Sequence, residues 1–111
     1  MSISIGPVRL RNPVFLAPMS GVTDEAFRLV AHKHGAGLVV SEMVASDALF
    51  RERPDMVRRA QGSQKISPFV IQLAGREEHW MAEGARLAQD LGADIIDINM
   101  GCPSRVVTNG L

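Results

Sequence analysis

Gly92-Ala93-Asp94-Ile95-Ile96-Asp97-Ile98-Asn99-Met100-Gly101-Cys102-Pro103 packs a helix stop, a strand and a turn into one run of residues. Gly92 can take the left-handed conformation that ends a helix. The isoleucine-rich run then reads as a strand covered on both faces, and Gly101 and Pro103 are turn residues. The same order occurs earlier, where Gly35-Ala36-Gly37 leads into Leu38-Val39-Val40-Ser41 and ends in Glu42-Met43. A glycine stop followed by a buried strand, twice, predicts parallel strand-helix-strand units.

Working outward from these strands, Phe69-Val70-Ile71-Gln72-Leu73 reads as another core strand and Pro13-Val14-Phe15-Leu16-Ala17 as the first, both apolar enough to be covered on two faces. Asp24 is a candidate N-cap for a helix from about Asp24 to His34, with Phe27, Val30 and Ala31 on one face and basic residues in its last turn. A longer helix is expected from about Glu77 to Leu91, its apolar side made of Trp80, Met81, Ala85, Leu87, Ala88 and Leu91. Gly84 inside it marks a close approach of helix to sheet. The charged segment from Ser46 to Gly62 reads as one or two short helices broken near Pro54. Ile3, Ile5, Val8 and Leu10 alternate with polar residues around Gly6-Pro7, the pattern of a short β-hairpin that covers something.

Four core strands in 111 residues compare with eight in the roughly 250 residues of a complete (β/α)8 barrel. The expected fold is therefore α/β: the N-terminal half of a (β/α)8 TIM barrel with a short N-terminal β-hairpin, so that residues 1–111 form one partial domain.

Composition narrows the function classes. Lys and Arg number 12 and Asp and Glu 12, so no global charge argues for nucleic acid. The stretch from Arg51 to Lys65 is locally basic, with Arg51, Arg53, Arg58, Arg59 and Lys65 against Glu52 and Asp55. It reads first as a solvated helical face and second as a nucleic-acid contact. No apolar run reaches the roughly 18 to 20 residues of a membrane span, and the first residues lack the features of a signal peptide; a cytoplasmic location is expected. His32, His34 and His79 fall at helix ends and surfaces.

In a parallel α/β fold chemistry collects beyond the C-terminal strand ends. The polar residues follow that rule: Ala17-Pro18-Met19-Ser20, Ser41-Glu42-Met43, Gln72-Leu73-Ala74-Gly75 and Asn99-Met100-Gly101-Cys102-Pro103-Ser104 each follow a strand. Period-two alternation puts Asp97 and Asn99 on one strand face. Asp97 reads as a buried, hydrogen-bonded carboxylate, and Asn99, beside the loop, as a functional side chain. Pro18-Met19-Ser20-Gly21 offers a flat, partly apolar shelf suited to a planar heterocycle. Cys102 is the only cysteine. Its turn neighbours lift it out of the strand, where a thiol can act as nucleophile, metal ligand or general acid. With no second cysteine and no histidine beyond His79, a zinc site lacks a ligand set, so nucleophile or general acid remains.

Taken together, Ala17-Pro18-Met19-Ser20-Gly21-Val22-Thr23-Asp24 with Phe27-Arg28, Ser41-Glu42-Met43, Gln72-Leu73-Ala74-Gly75 and Asp97-Ile98-Asn99-Met100-Gly101-Cys102-Pro103 resemble the tRNA-dihydrouridine synthases, most closely their bacterial B-type branch. That resemblance implies a flavoenzyme on a (β/α)8 barrel that holds FMN and reduces uridines in tRNA to 5,6-dihydrouridine, with NADPH as reductant. It implies that Pro18, Met19 and Ser20 lie along the flavin ring, that Gln72 hydrogen-bonds it, that Asn99 lies near cofactor and target base, and that Cys102 is the catalytic acid. Glu42 matches a motif position without an assigned role. Val106 stands where the family often has lysine. The resemblance also implies that the later strands and a C-terminal helical domain lie beyond Leu111, making this the N-terminal part of an enzyme. Two other expectations stand beside it: another FMN barrel of the dihydroorotate dehydrogenase or old-yellow-enzyme kind, and a truncated, non-catalytic product.

Overall fold

In the computed structural model, which describes residues 2–62 and 65–102, β1 (Ile3–Ile5) and β2 (Val8–Leu10) form the antiparallel hairpin, with Ile3 opposite Leu10 and Gly6 at positive φ in the turn. Leu10 is buried against Leu38, Val40 and Val70, with Ile3, Val8 and Ile95 packed around them. The hairpin thus covers one end of the parallel strands. Pro103, Ser104 and Val106 lie outside the described residues.

The parallel strands are short. β3 (Phe15–Leu16) pairs with β4 (Leu38–Val39), and β5 (Val44–Ala45) pairs with β6 (Val70–Ala74), which pairs with β7 (Ile95–Ile98). The Ser41 amide donates to the Val70 carbonyl at 3.2 Å, which stitches the end of β4 to β6. Between β3 and β4 runs α1 (Glu25–Lys33); α2 (Ser46–Phe50) and α3 (Pro54–Arg59) join β5 to β6; α4 (Glu78–Asp90) joins β6 to β7. This is a mixed α/β arrangement of parallel strand-helix-strand units, and the described residues do not close into a barrel.

Local chemistry explains the boundaries. Asp24 caps α1 by accepting the Phe27 amide at 2.8 Å. Gly35 and Gly92 follow α1 and α4 at φ of +105° and +97°, conformations that cost little without a Cβ. Pro54, at the start of α3, separates it from α2 because it lacks the N–H that a continuous helix would need there. The main core holds Val44, Leu49, Met56, Ile71, Leu73 and Ala88, all buried; each large side chain among them contributes roughly 1.5–3 kcal/mol on leaving water.

Several expectations need correction. The second core strand is shorter than Leu38–Ser41, covering only Leu38–Val39, and after Glu42-Met43 the chain becomes extended again as a separate strand, β5. The first strand covers only Phe15–Leu16 and is not sandwiched, since Val14 and Phe15 stay 61% and 46% exposed. Ile98 at the end of β7 is likewise exposed. β3 and β7 each have one strand neighbour among the described residues, so half of their surroundings is open. In α1 the buried residue is Arg28, while Phe27 and Val30 are exposed. Leu91 is also exposed rather than part of the packed side of α4. Gly84 does mark a close approach, but to the start of α2: a Cβ there would stand 2.8 Å from Ser46 Cβ and Oγ.

Candidate active site

Side chains alternate across a strand, and the register Gln72 opposite Asp97 on neighbouring parallel strands sets two polar groups on one face. Gln72 Nε2 donates to Asp97 Oδ2 at 2.6 Å. Asn99 follows β7, with its amide held by the Leu73 carbonyl at 2.9 Å. Its Nδ2 donates to Gln72 Oε1 at 3.3 Å and lies 3.5 Å from the Met43 sulfur. Its Oδ1 accepts the backbone amides of Gly101 at 3.0 Å and Cys102 at 2.9 Å. One hydrogen-bonded run therefore connects Asp97, Gln72, Asn99 and the backbone of Cys102.

Each link has a structural reason. Gln72 is buried, so its amide needs partners, and Asp97 and Asn99 supply an acceptor and a donor. The Gln72 backbone amide in turn donates to Ser41 Oγ at 2.9 Å, with Ser41 fully buried. Asp97 is hydrogen-bonded as expected, but it is half-buried rather than buried, because β7 has one strand neighbour among the described residues. Asn99 shapes the turn in the manner of an Asx motif, its short side chain accepting amides two and three residues on. Cys102 is a free, half-buried thiol. It lines an open cleft of about 570 Å3 with Asn99, Met100, Ile98, Gly75 and Met81. Met100 projects into solvent, 92% exposed.

Pro18 lines a separate cavity of about 480 Å3, whose walls include Leu16, Val40, Val70, Ile95 and Asp97. Asp97 thus stands between that apolar cavity and the Gln72 and Asn99 amides. Met19 and Ser20 lie on the loop from β3 to α1, both exposed, and neither lines this cavity. Of the loop residues singled out from the sequence, the structure associates only Pro18 with the strand cluster. Met19 is held instead by Thr23: its amide donates to Thr23 Oγ1 at 3.0 Å, and its carbonyl accepts the amides of Val22 and Thr23. Thr23 is fully buried and was not singled out, although a threonine four residues beyond a strand tip is a recognisable turn signal.

Glu42 turns out to tie the loops together. Its Oε1 accepts the Gly21 amide at 2.7 Å, and Arg59 Nε stands 3.8 Å away. Arg59 Nη1 also donates to the Met43 carbonyl at 2.8 Å. Nearby Arg28 is buried; burial pushes its guanidinium pKa down, and Glu25, Glu42 and Asp24 act against that shift. Much of the basic stretch is occupied within the chain. Arg53 pairs with Asp55 at 2.6 Å, Arg59 serves Glu42 and Met43, and Arg51 lies 5.3 Å from the Trp80 ring centroid. No group of three or more His, Cys, Asp and Glu residues suited to hold a metal occurs among the described residues. No helix among them is long and apolar enough to cross a membrane.

Residues 15–111 match the family model described as dihydrouridine synthase. The chain is 52% identical over its whole length to a probable tRNA-dihydrouridine synthase of Rhodobacter capsulatus, covering 35% of that protein. It is 56% identical over 91% of its length to a probable tRNA-dihydrouridine synthase of Rhizobium leguminosarum bv. phaseoli, covering 32% of it. Against tRNA-dihydrouridine synthase B of Pseudomonas syringae pv. tomato it is 47% identical over 97% of its length, again covering 32%. The chain spans about a third of the length of these relatives. With a family match that runs from the first parallel strand to the last residue, the chain belongs to the dihydrouridine synthase family.

Proposed function

We propose that this chain is the N-terminal half of a (β/α)8 barrel that reduces uridine to 5,6-dihydrouridine in tRNA, using FMN and NADPH. The observation that carries the reading is the hydrogen-bonded run from Asp97 through Gln72 and Asn99 to the Cys102 backbone, at the C-terminal ends of adjacent parallel strands. The names of the relatives supply the reaction and the substrate. The half-barrel is supported by the open edges of β3 and β7, where further strands would pair, and by the exposed apolar residues Phe15 and Ile98 on them and Val14 just before β3.

The residues fit a flavin. A planar heterocycle with polar edges needs an apolar wall and a few fixed donors and acceptors. Gln72 has one amide hydrogen and one carbonyl lone pair beyond its bonds to Asp97 and Asn99. Pro18 and the wall of the neighbouring cavity provide apolar surface. Gln72, Pro18, Met19 and Ser20 would hold the cofactor, with the last two contributing loop surface. When bound, FMN reduced by NADPH would supply the hydride for C6 of the uracil.

The chain's own part is proton delivery and positioning. As C6 is reduced, negative charge builds towards C5 and O4, and C5 must take a proton. Cys102 Sγ gives that proton and recovers one from solvent. Asn99 fixes where Cys102 leaves the strand by accepting its amide, and it lies next to the base. The target uridine leaves its stack to reach the site, as in other enzymes that act on bases. The protein works in the cytoplasm, where tRNA is found.

The test is Cys102→Ala in the full-length protein, followed in two half-reactions. Reduction of bound flavin by NADPH is expected to proceed at the parent rate, while uridine reduction falls by about 100-fold or more. Equal loss of both halves, or full uridine reduction without the thiol, rejects the acid role. A purified full-length protein without flavin absorbance rejects the cofactor.

A further inference from the structure

We propose that Glu42 and Arg59 are positioning residues that brace two loops of the site against each other. Glu42 follows the end of β4 and is 8% exposed, an unusual place for a carboxylate without a task. It accepts the Gly21 amide at 2.7 Å and so anchors the Pro18-Met19-Ser20-Gly21 loop to the β4–β5 segment. Gly21 adopts φ of +76°, so the loop turns sharply where the carboxylate grips it. Arg59, at the end of α3, reaches Glu42 at 3.8 Å with Nε and the Met43 carbonyl at 2.8 Å with Nη1. The Met43 side chain touches Asn99, which holds the Cys102 amide.

The connection therefore runs both ways from one guanidinium. Through Glu42 it reaches the loop after β3; through Met43 and Asn99 it reaches the loop after β7. A planar guanidinium suits this, because its rigid fork serves two acceptors at once and stays charged. The charge also matters. Glu42 is buried with Arg59 and Arg28 as its cationic neighbours, and the Gly21 amide becomes a charge-assisted donor, about twice as strong as a neutral one. Neither residue touches the reacting atoms; both set where the groups that do are held. The catalytic side of this proposal rests on the function argued above, whereas the bracing itself is a property of the fold.

The experiment compares Glu42→Ala, Glu42→Gln and Arg59→Ala in the full-length protein, reading amide hydrogen exchange at Gly21 and Cys102 together with kcat and KM for tRNA. Glu42→Ala is expected to speed Gly21 exchange by about 10- to 100-fold, the worth of a hydrogen bond to a charged acceptor. Glu42→Gln, which keeps a neutral acceptor for Gly21, is expected to restore part of that protection. Arg59→Ala is expected to speed exchange at both Gly21 and Cys102. In both alanine variants kcat should fall by about 10-fold or more with KM for tRNA little changed, because misplaced groups cost rate rather than tRNA contacts. If Glu42→Ala does not fold, Arg59→Ala carries the test, since its guanidinium is partly exposed. Parent-like exchange at both amides in a folded Arg59→Ala protein overturns the brace. Changed exchange in variants of a parent that reduces no uridine leaves the brace standing and overturns the function.

Discussion

Gln72 and Asn99 meet amide to amide, Asn99 Nδ2 lying 3.3 Å from Gln72 Oε1, with Asp97 taking the other side of Gln72 at 2.6 Å. The orientation of both amides follows from this. A carboxylate offers only acceptors, so Gln72 presents Nε2 to Asp97 and Oε1 to Asn99; Asn99 then presents Nδ2 to Gln72 and Oδ1 to the Gly101 and Cys102 amides. Donor and acceptor alternate along the whole run, and reversing one amide would set like groups against each other.

Asn99→Asp separates the two jobs of this side chain. The carboxylate still accepts the Gly101 and Cys102 amides, but it has no donor for Gln72 Oε1. The expected cost is about 1–3 kcal/mol of stability, from a buried acceptor left unpaired, read as a lower denaturant midpoint. Exchange protection of the Cys102 amide is expected to remain. Loss of that protection with unchanged stability would contradict the division of labour.

Gly84→Ala tests the contact between α4 and the start of α2. In a free helix alanine would gain up to about 1 kcal/mol over glycine. Here the new Cβ would meet Ser46 Cβ and Oγ at 2.8 Å and Ser46 Cα at 3.3 Å, and backbone cannot give way as a flexible side chain can. Overpacking of this kind costs roughly 1–3 kcal/mol, so the variant is expected to melt lower than the parent. A higher melting temperature would show that the helices separate freely.

The pair at the start of α3 predicts an acid-resistant carboxylate. The hydrogen bond from Arg53 draws the Asp55 pKa down to about 2. A carboxylate with a lowered folded pKa adds stability above its ordinary value near 3.8, and that addition disappears as pH falls through about 2. The Arg53–Asp55 pair lies at the surface, so the stability involved is small and screened by salt. The measurement is the Asp55 carboxyl chemical shift against pH, whose midpoint should rise towards 3.8 in Arg53→Ala. An unmoved midpoint would show that another group holds the proton away.

Open strand edges and exposed apolar side chains carry an association risk. The 111-residue chain expressed alone is expected to self-associate with rising concentration through β3 and β7, which expose Phe15 and Ile98. Ile98→Lys, which puts a charge on one of these edges, should reduce light scattering at a given concentration. A monomeric parent chain, or scattering indifferent to Ile98→Lys, would refute this.

Periodicity and punctuation were enough to read the strand-helix-strand order, because glycine stops, the Asp24 cap and Pro54 act over a few residues and need no distant partner. The grouping of Gln72, Asp97, Asn99 and Cys102 at strand ends was legible for the same reason: parallel strands send their C-terminal ends to one side whatever the packing. Burial of Arg28, exposure of Phe27, the extra strand Val44–Ala45, the clash waiting at Gly84 and the grip of Glu42 on Gly21 were decided only in three dimensions. Each depends on which residue distant in sequence comes to stand opposite, and hydrophobic period is blind to that. A carboxylate after a strand reads the same whether it meets solvent or, as Glu42 does, a backbone amide 21 residues earlier and an arginine at the end of α3.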